Sequence, residues 1–150
     1  LSEVFAAKTL LGLTLGTVTA IITLALNRAF GSDPLLLIFV LLLSALTASL
    51  FGTLLGAVLK DMNTLLAALK AGGLLFMAPA ILDMVPKAPD WIARIFPTYY
   101  ILNPVMEVAE RGAGLNAILG NLLVLAVIAG LLVFGLALVI DRQQKRLALF

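Results

Sequence analysis

The feature that most constrains this chain is a series of long segments without charged residues. Residues 9–27 and 34–59 carry no charge, and each provides the roughly 20 apolar residues needed to cross a bilayer core of about 30 Å. Residues 62–82 are apolar apart from Lys70, whose stem can extend toward the headgroups. Residues 113–140 are also free of charge. The sequence therefore predicts four transmembrane helices.

The composition agrees with a chain that folds within lipid. Hydrophobic residues make up 63% of it and charged residues 12%, whereas soluble domains have about 25% charged residues. We expect an all-α, polytopic membrane helix bundle that forms a single transmembrane domain. Its helices should span about residues 5–27, 34–59, 63–83 and 114–140, with a short helical hairpin over about residues 88–112.

The composition also excludes several kinds of chemistry. The chain has no cysteine and no histidine, which excludes thiolate zinc sites, cysteine nucleophiles and Ser-His dyads. It lacks the G-x-x-x-x-G-K-[ST] loop that cradles nucleotide phosphates. Its net charge of +2 is small and scattered, which argues against a nucleic-acid partner. We therefore predict neither an enzyme nor a cofactor or metal site.

The basic residues give an orientation, because Lys and Arg are enriched at the cytoplasmic ends of membrane helices. Four crossings place both termini on the same side of the membrane. We predict that both termini lie in the cytoplasm and that the hairpin lies on the opposite side of the cell membrane. The side with the termini holds six of the ten basic residues, namely Lys8, Lys60, Lys70, Arg142, Lys145 and Arg146.

The hairpin segment reads "PDWIARIFPTYYILNPVMEVAERG" and is punctuated by prolines. Residues 89–96 predict a helix of about two turns that ends before Pro97. Asn103 and Pro104 are typical of the cap and first residue of a second helix, which would place Glu107 near the positive end of that helix. Because Trp and Tyr favour the headgroup level, we expect an interfacial or shallow re-entrant hairpin that covers the bundle as a lid.

Small residues recur at four-residue spacing on the first two predicted helices. Such spacing allows two helix backbones to approach closely within a membrane. We interpret the two stripes as helix-packing surfaces, and a seam between two subunits is the alternative. The stripes are Gly12, Gly16 and Ala20 on the first helix, and Ala48, Gly52 and Gly56 on the second.

Four sequence motifs follow one another in a recognisable order. They are "EVFAAK" before the first crossing, "GTLLGAVLKDMNTLLA" around a very short turn, the proline-bounded "PKAPDWIARIFPTYYILNPVMEV", and a last helix that closes in "DRQQKR". This order resembles the C-terminal half of ABC-type-2 exporter permeases, the membrane subunits of ATP-driven ABC transporters. The resemblance implies a six-helix permease, of which this chain would supply the last four crossings.

The resemblance also implies partners and site residues. The partners would be an ABC ATPase subunit, a second permease copy or homologous half, and the lipid bilayer. The short turn would face the ATPase, and the hairpin would gate the outer exit. The turn residues concerned are Lys60, Asp61, Met62 and Asn63, and the gate residues are Trp91, Pro97, Tyr99, Tyr100 and Pro104.

Two other functions fit a small membrane bundle. A four-helix scaffold or assembly protein without a transport role would show the same small-residue stripes. A proton-coupled multidrug carrier would need a carboxylate within its early crossings, and residues 9–27 and 34–59 have none. The polar groups of the bundle are compatible with a drug, a lipid, a peptide or an ion as substrate, and they are the hydroxyls of Thr14, Thr17, Thr19, Thr23, Ser44, Thr47 and Ser49.

Overall fold

The computed structural model describes residues 2–59, 61–85 and 89–147, and within them it contains helices and turns but no strand. Four of its helices are long and apolar enough to cross a membrane. The predicted all-α, polytopic membrane bundle is therefore confirmed. The helices are α1 (Ser2–Leu26), α2 (Pro34–Val58), α3 (Met62–Asp83), α4 (Asp90–Ala93), α5 (Tyr99–Ala109) and α6 (Leu115–Leu147).

Aspartate caps begin both α2 and α3. The Leu36 amide donates to the Asp33 carboxylate at 3.1 Å, and Pro34 occupies the first turn of α2. At the start of α3, the backbone amide and the hydroxyl of Thr64 both donate to the Asp61 carboxylate, at 3.0 and 2.9 Å. Each carboxylate satisfies an amide that the helix itself leaves without a partner. The caps explain why these helices begin where they do.

Helix α2 is the central element, because it packs against α1, α5 and α6. We call the end of the bundle where α2 begins and α5 ends the hairpin end. The buried core there combines residues of α2, α5 and α6, namely Leu37, Val40, Leu41, Val108, Ile118 and Leu122. A second core at the opposite end joins α2 to α6 through Leu50, Ala57, Ala129 and Leu136.

The hairpin differs from its sequence prediction in two places. Helix α4 is a single turn, Asp90–Ala93, rather than two turns. Helix α5 begins at Tyr99, so the prediction that Asn103 and Pro104 start it is wrong. An interior proline costs a helix about 3 kcal/mol, but Pro104 is almost fully buried, and we attribute the continuous helix to this packing.

The earlier start of α5 also changes the position of Glu107. This residue lies in the last turn of α5 instead of its first turns, so its predicted position near the positive end of the helix is wrong. Its carboxylate forms an ion pair with Arg111, four residues later. The pair therefore lies at the hairpin end of the bundle, close to where α5 gives way to α6.

Candidate functional site: a deep hairpin and its cavities

The elbow of the hairpin, which we define as residues 94–98 between α4 and α5, reaches deep into the bundle. Phe96 and Pro97 share the wall of one cavity with Thr47 of α2 and Ile128 of α6. Thr47 and Ile128 each lie about 20 Å from the hairpin end of their helices, at about 1.5 Å per residue. The elbow is thus near the middle of a bilayer about 30 Å thick, deeper than the shallow lid that we expected.

Several backbone groups of the elbow form hydrogen bonds with nearby residues at this depth. The Phe96 amide donates to Ala93 at 3.1 Å, the Tyr99 amide to Phe96 at 3.0 Å, and the Tyr100 amide to Pro97 at 3.2 Å. Non-helical backbone is tolerated at membrane depth only when its polar groups are satisfied. Successive tight turns help to meet that requirement, so the chain can reverse direction inside the bundle.

Two side-chain hydrogen bonds hold α5 between α2 and α6. The Asn121 amide of α6 donates to the Asn103 side-chain oxygen at 2.7 Å. The Ser44 hydroxyl of α2 donates to the Ile101 carbonyl at 3.3 Å. Both contacts are partly buried, where a lost partner would leave a polar group without water. They fix the depth of α5 relative to its two neighbours.

The loop between α1 and α2 makes close backbone contact with the C-terminal end of α5. Gly31 has a φ of +64°, and a side chain there would overlap the Val108 carbonyl oxygen and approach the Ala109 Cα to 3.2 Å. Gly112 has a φ of +62° and lies against Ser32. Only glycine adopts this backbone conformation without strain. The hairpin is therefore anchored to the loop at the hairpin end of the bundle.

The cavity at the elbow has a volume of about 530 Å³. Phe51 of α2 and Phe76 of α3 meet edge to face in its wall, with ring centres 5.5 Å apart. This edge-to-face arrangement is the preferred one for aromatic pairs. We call this space the elbow cavity. Its lining residues are Thr47, Ala48, Phe51, Phe76, Phe96, Pro97, Thr98, Ile101, Ile128 and Leu132.

A smaller cavity of about 180 Å³ lies between α3 and the hairpin. In contrast to the elbow cavity, it is lined by the charged residues Arg94, Glu107 and Arg111, together with Tyr99 and Asn103. The hairpin therefore borders an apolar cavity and a polar one. Any movement of the hairpin would change both.

The residues predicted to form the outer gate occupy different positions on the hairpin. Pro97 lines the elbow cavity, and Pro104 is buried within α5. The Tyr99 and Tyr100 rings meet edge to face at 5.3 Å. Trp91 is 65% exposed on α4. The structure therefore places Pro97 at the elbow and the paired Tyr99 and Tyr100 rings at the start of α5, and it leaves Trp91 exposed on α4.

The residues predicted to face an ATPase lie at the start of α3. Lys60 is outside the described residues. Met62 and Asn63 are exposed, and so is Asp61. Hydrogen bonds from the backbone and then the hydroxyl of Thr64 lower the pKa of the Asp61 carboxyl, so the turn keeps its negative charge at neutral pH. The Asp61 cap thus fixes the start of α3, where Asp61 and Asn63 form a small polar surface at this end of the bundle.

The end of α6 meets α2 close to the same turn. The Gln143 side chain donates to the Ala57 carbonyl at 3.0 Å. It thereby supplies a donor to one of the last carbonyls of α2, which a helix cannot satisfy itself. This hydrogen bond joins the end of α6 to the end of α2, next to the short turn.

The small residues of α1 face α2. A side chain at Gly12 would overlap the Ser49 hydroxyl, and one at Gly16 would lie 3.5 Å from the Ala45 Cβ. Ala20 packs beside the core at the hairpin end. On this helix the stripe marks a surface of close approach between two backbones.

The small residues of α2 lie in more open surroundings. A side chain at Gly52 or Gly56 would meet no atom within 4 Å among the residues described. Both glycines line a groove of about 290 Å³ that also contains Phe5 and Lys8. Ala48 instead lines the elbow cavity. The second predicted stripe is thus divided between a groove and a cavity.

The hydroxyl groups of the transmembrane helices bond mainly to backbone carbonyls. Those of Thr14, Thr23 and Thr47 donate to carbonyls three or four residues earlier in the same helix, at 2.8–3.0 Å. The Ser49 hydroxyl donates across to the Thr9 carbonyl of α1 at 2.7 Å. Within the described part of the chain, the Thr17 hydroxyl is buried without a partner. Five of the seven hydroxyl groups that form the polar inventory of the bundle therefore already donate a hydrogen bond.

Comparison with known protein families gives one finding. The family model described as "ABC-2 family transporter protein" matches residues 2–139. No curated protein and no solved structure matches the chain. The match extends from the first residue of α1 to the last turns of α6, so it includes the hairpin and both cavities.

Proposed function

This chain belongs to the ABC-2 family of transporter proteins, and from that premise we propose that it carries the translocation pathway of an exporter driven by a separate ATPase subunit. It is a multi-pass membrane permease of an ABC transporter. The chain would contribute no catalytic step, and ATP hydrolysis would take place in the partner. A second permease copy or homologous half would complete the pathway.

The observation that carries this proposal is the position of the hairpin. Its elbow lies about 20 Å inside the bundle, at about 1.5 Å per residue of the neighbouring helices, and α5 is held between α2 and α6 by two hydrogen bonds. A plug of this kind closes a pathway from one side. A lid that moves when neighbouring helices move is a common device for controlling access, and it supports a gate more directly than a passive scaffold.

The energy for opening the gate would arrive at the opposite end of the bundle. Asp61, Met62 and Asn63 form the exposed start of α3, and we infer that an ATPase docks on this turn in the cytoplasm. Closure of an ATPase pair on ATP would displace the turn and the ends of α2 and α6 that Gln143 joins. Since α2 also contacts α5, the displacement would reach the hairpin.

Site-directed crosslinking of the intact transporter tests this arrangement. These 150 residues contain no cysteine, so a single reporter introduced among them is the only thiol of this segment. We expect Asn63→Cys to crosslink to a cysteine on the ATPase subunit, and Ser32→Cys at the hairpin end to remain unlinked. Equal crosslinking of both, or of neither while the two subunits copurify, would refute the proposed docking site. Absence of any copurifying ATPase would instead favour the scaffold function.

A further inference from the structure

The wall of the elbow cavity offers almost nothing to a polar molecule. Eight of its ten lining residues are apolar. The Thr47 hydroxyl already donates to the Leu43 carbonyl at 2.8 Å, and the Thr98 hydroxyl is buried below the surface, with no partner among the described residues. A stable buried water needs two to four polar partners. Water is therefore a poor filling for this cavity.

The cavity is open on one side and is not a sealed void, since Ala48 and Pro97 in its wall are exposed. A volume of about 530 Å³ falls within the range of about 300–1,000 Å³ that holds drug-sized ligands. The cavity is thus large enough for a molecule, and its open side would let one enter from the surrounding bilayer.

Depth decides which molecule can fill it. The cavity lies near the middle of the bilayer, as judged from the positions of Thr47 and Ile128 along their helices. Hydrocarbon chains are the only abundant component at that level. We propose that the elbow cavity binds an acyl chain of a bilayer lipid, in contact with the Phe51 and Phe76 rings and with Phe96 of the elbow.

The proposed occupant would link the hairpin to the surrounding helices. Phe96, Pro97 and Thr98 form the part of the wall that belongs to the elbow, and Ile128 and Leu132 form the part that belongs to α6. An acyl chain between them would supply contacts that the protein itself does not make. This binding requires neither ATP nor transport, so it can succeed or fail separately from the proposed exporter function.

Photolabelling of the full chain in lipid nanodiscs tests the site. The probe is a phosphatidylcholine with a diazirine at the middle of one acyl chain, and mass spectrometry locates the labelled residues. We expect labelling at Phe51 and Phe96 to saturate as the probe fraction rises. Labelling at Phe134, which is 64% exposed on α6, should rise linearly, because that residue reports unspecific contact with bulk lipid.

Two variants that fill the cavity provide a second, independent measurement. Ala48→Phe and Ile128→Phe should each lower labelling of the elbow severalfold, because a phenylalanine ring takes the place of the chain. Ala126→Phe adds the same bulk at an exposed position on α6 that lines none of the cavities described, and it should leave labelling unchanged. The two filling positions lie on different helices, so misfolding of one variant leaves the other as the test.

Two results would overturn the proposal. One is labelling at Phe51 and Phe96 that rises linearly with probe, as at Phe134, since that would mean there is no discrete site. The other is saturable labelling that persists unchanged in a folded variant with a filled cavity, which would place the lipid elsewhere. The saturation measurement needs no variant and is therefore decisive even if both substitutions disturb folding.

Discussion

Replacing Gly31 with alanine should weaken the anchor between the α1–α2 loop and the end of α5. The φ of +64° at this position costs a residue with a side chain about 1–2 kcal/mol. The new methyl group would also overlap the Val108 carbonyl oxygen and approach the Ala109 Cα to 3.2 Å, and forced overpacking of this kind costs about 1–3 kcal/mol. We therefore expect a loss of about 2–5 kcal/mol in the free energy of unfolding.

Unfolding by sodium dodecyl sulfate in detergent micelles measures this loss. The chain has one tryptophan, Trp91 on α4, so its fluorescence reports the hairpin directly. Gly114→Ala is the matched control, because a side chain at Gly114 meets no atom within 4 Å. If the two variants differ by less than about 0.5 kcal/mol, the usual range for uneventful surface substitutions, the anchor does not stabilise the hairpin.

Three further predictions concern other contacts. Asn103→Leu or Asn121→Leu should each leave the other side-chain amide without its partner. A double-mutant cycle should give a coupling of about 0.6–1.7 kcal/mol. Purely additive effects would show that the hydrogen bond contributes nothing. Asp61→Ala should fray the first turn of α3 in amide-exchange measurements, whereas Asp61→Asn should retain the cap, since asparagine is an equally good cap. The lowered pKa of Asp61 means that the charged cap is fully effective above about pH 4 and is lost as the pH falls through the lowered value, so protection of that turn should stay constant at higher pH. Gly12→Ala should cost about 1–3 kcal/mol by overpacking against the Ser49 side chain, and adding Ser49→Ala should recover part of that loss in the same unfolding assay.

The membrane bundle could be predicted from the sequence because its main signals are local. Charge-free segments define the crossings, and Asp33 with Pro34 and Asp61 with Thr64 fix two helix starts through contacts within three residues. Fold class needs no more than this, since a lipid-embedded chain has few alternatives to helices.

The hairpin could not be predicted in full because its contacts are distant in sequence. Asn103 followed by Pro104 favours a helix start locally, but packing of Pro104 within the bundle extends α5 back to Tyr99. The depth of the elbow depends on α2 and α6, and the partner of Asn103 is Asn121, 18 residues away. The two asparagines of the last crossing, Asn116 and Asn121, were the sequence signal that could have indicated a polar contact there.

The elbow cavity was likewise invisible in the sequence. Its wall combines α2, α3, the elbow and α6, and each contributing residue is an ordinary apolar side chain for a membrane helix. Only the three-dimensional arrangement shows that these residues surround a space instead of filling it.

The hydroxyl groups that bond to backbone carbonyls limit what the bundle can offer to an ion. Thr14, Thr23 and Thr47 turn their donors inward to their own helices, and Ser49 turns its donor to α1. An ion that entered between these helices would lose its hydration shell and find few dipoles free to replace it, a transfer that costs tens of kcal/mol in a medium of low dielectric constant. Among the described residues, one copy of this chain therefore offers few free hydroxyl donors to an anion that has left its hydration shell.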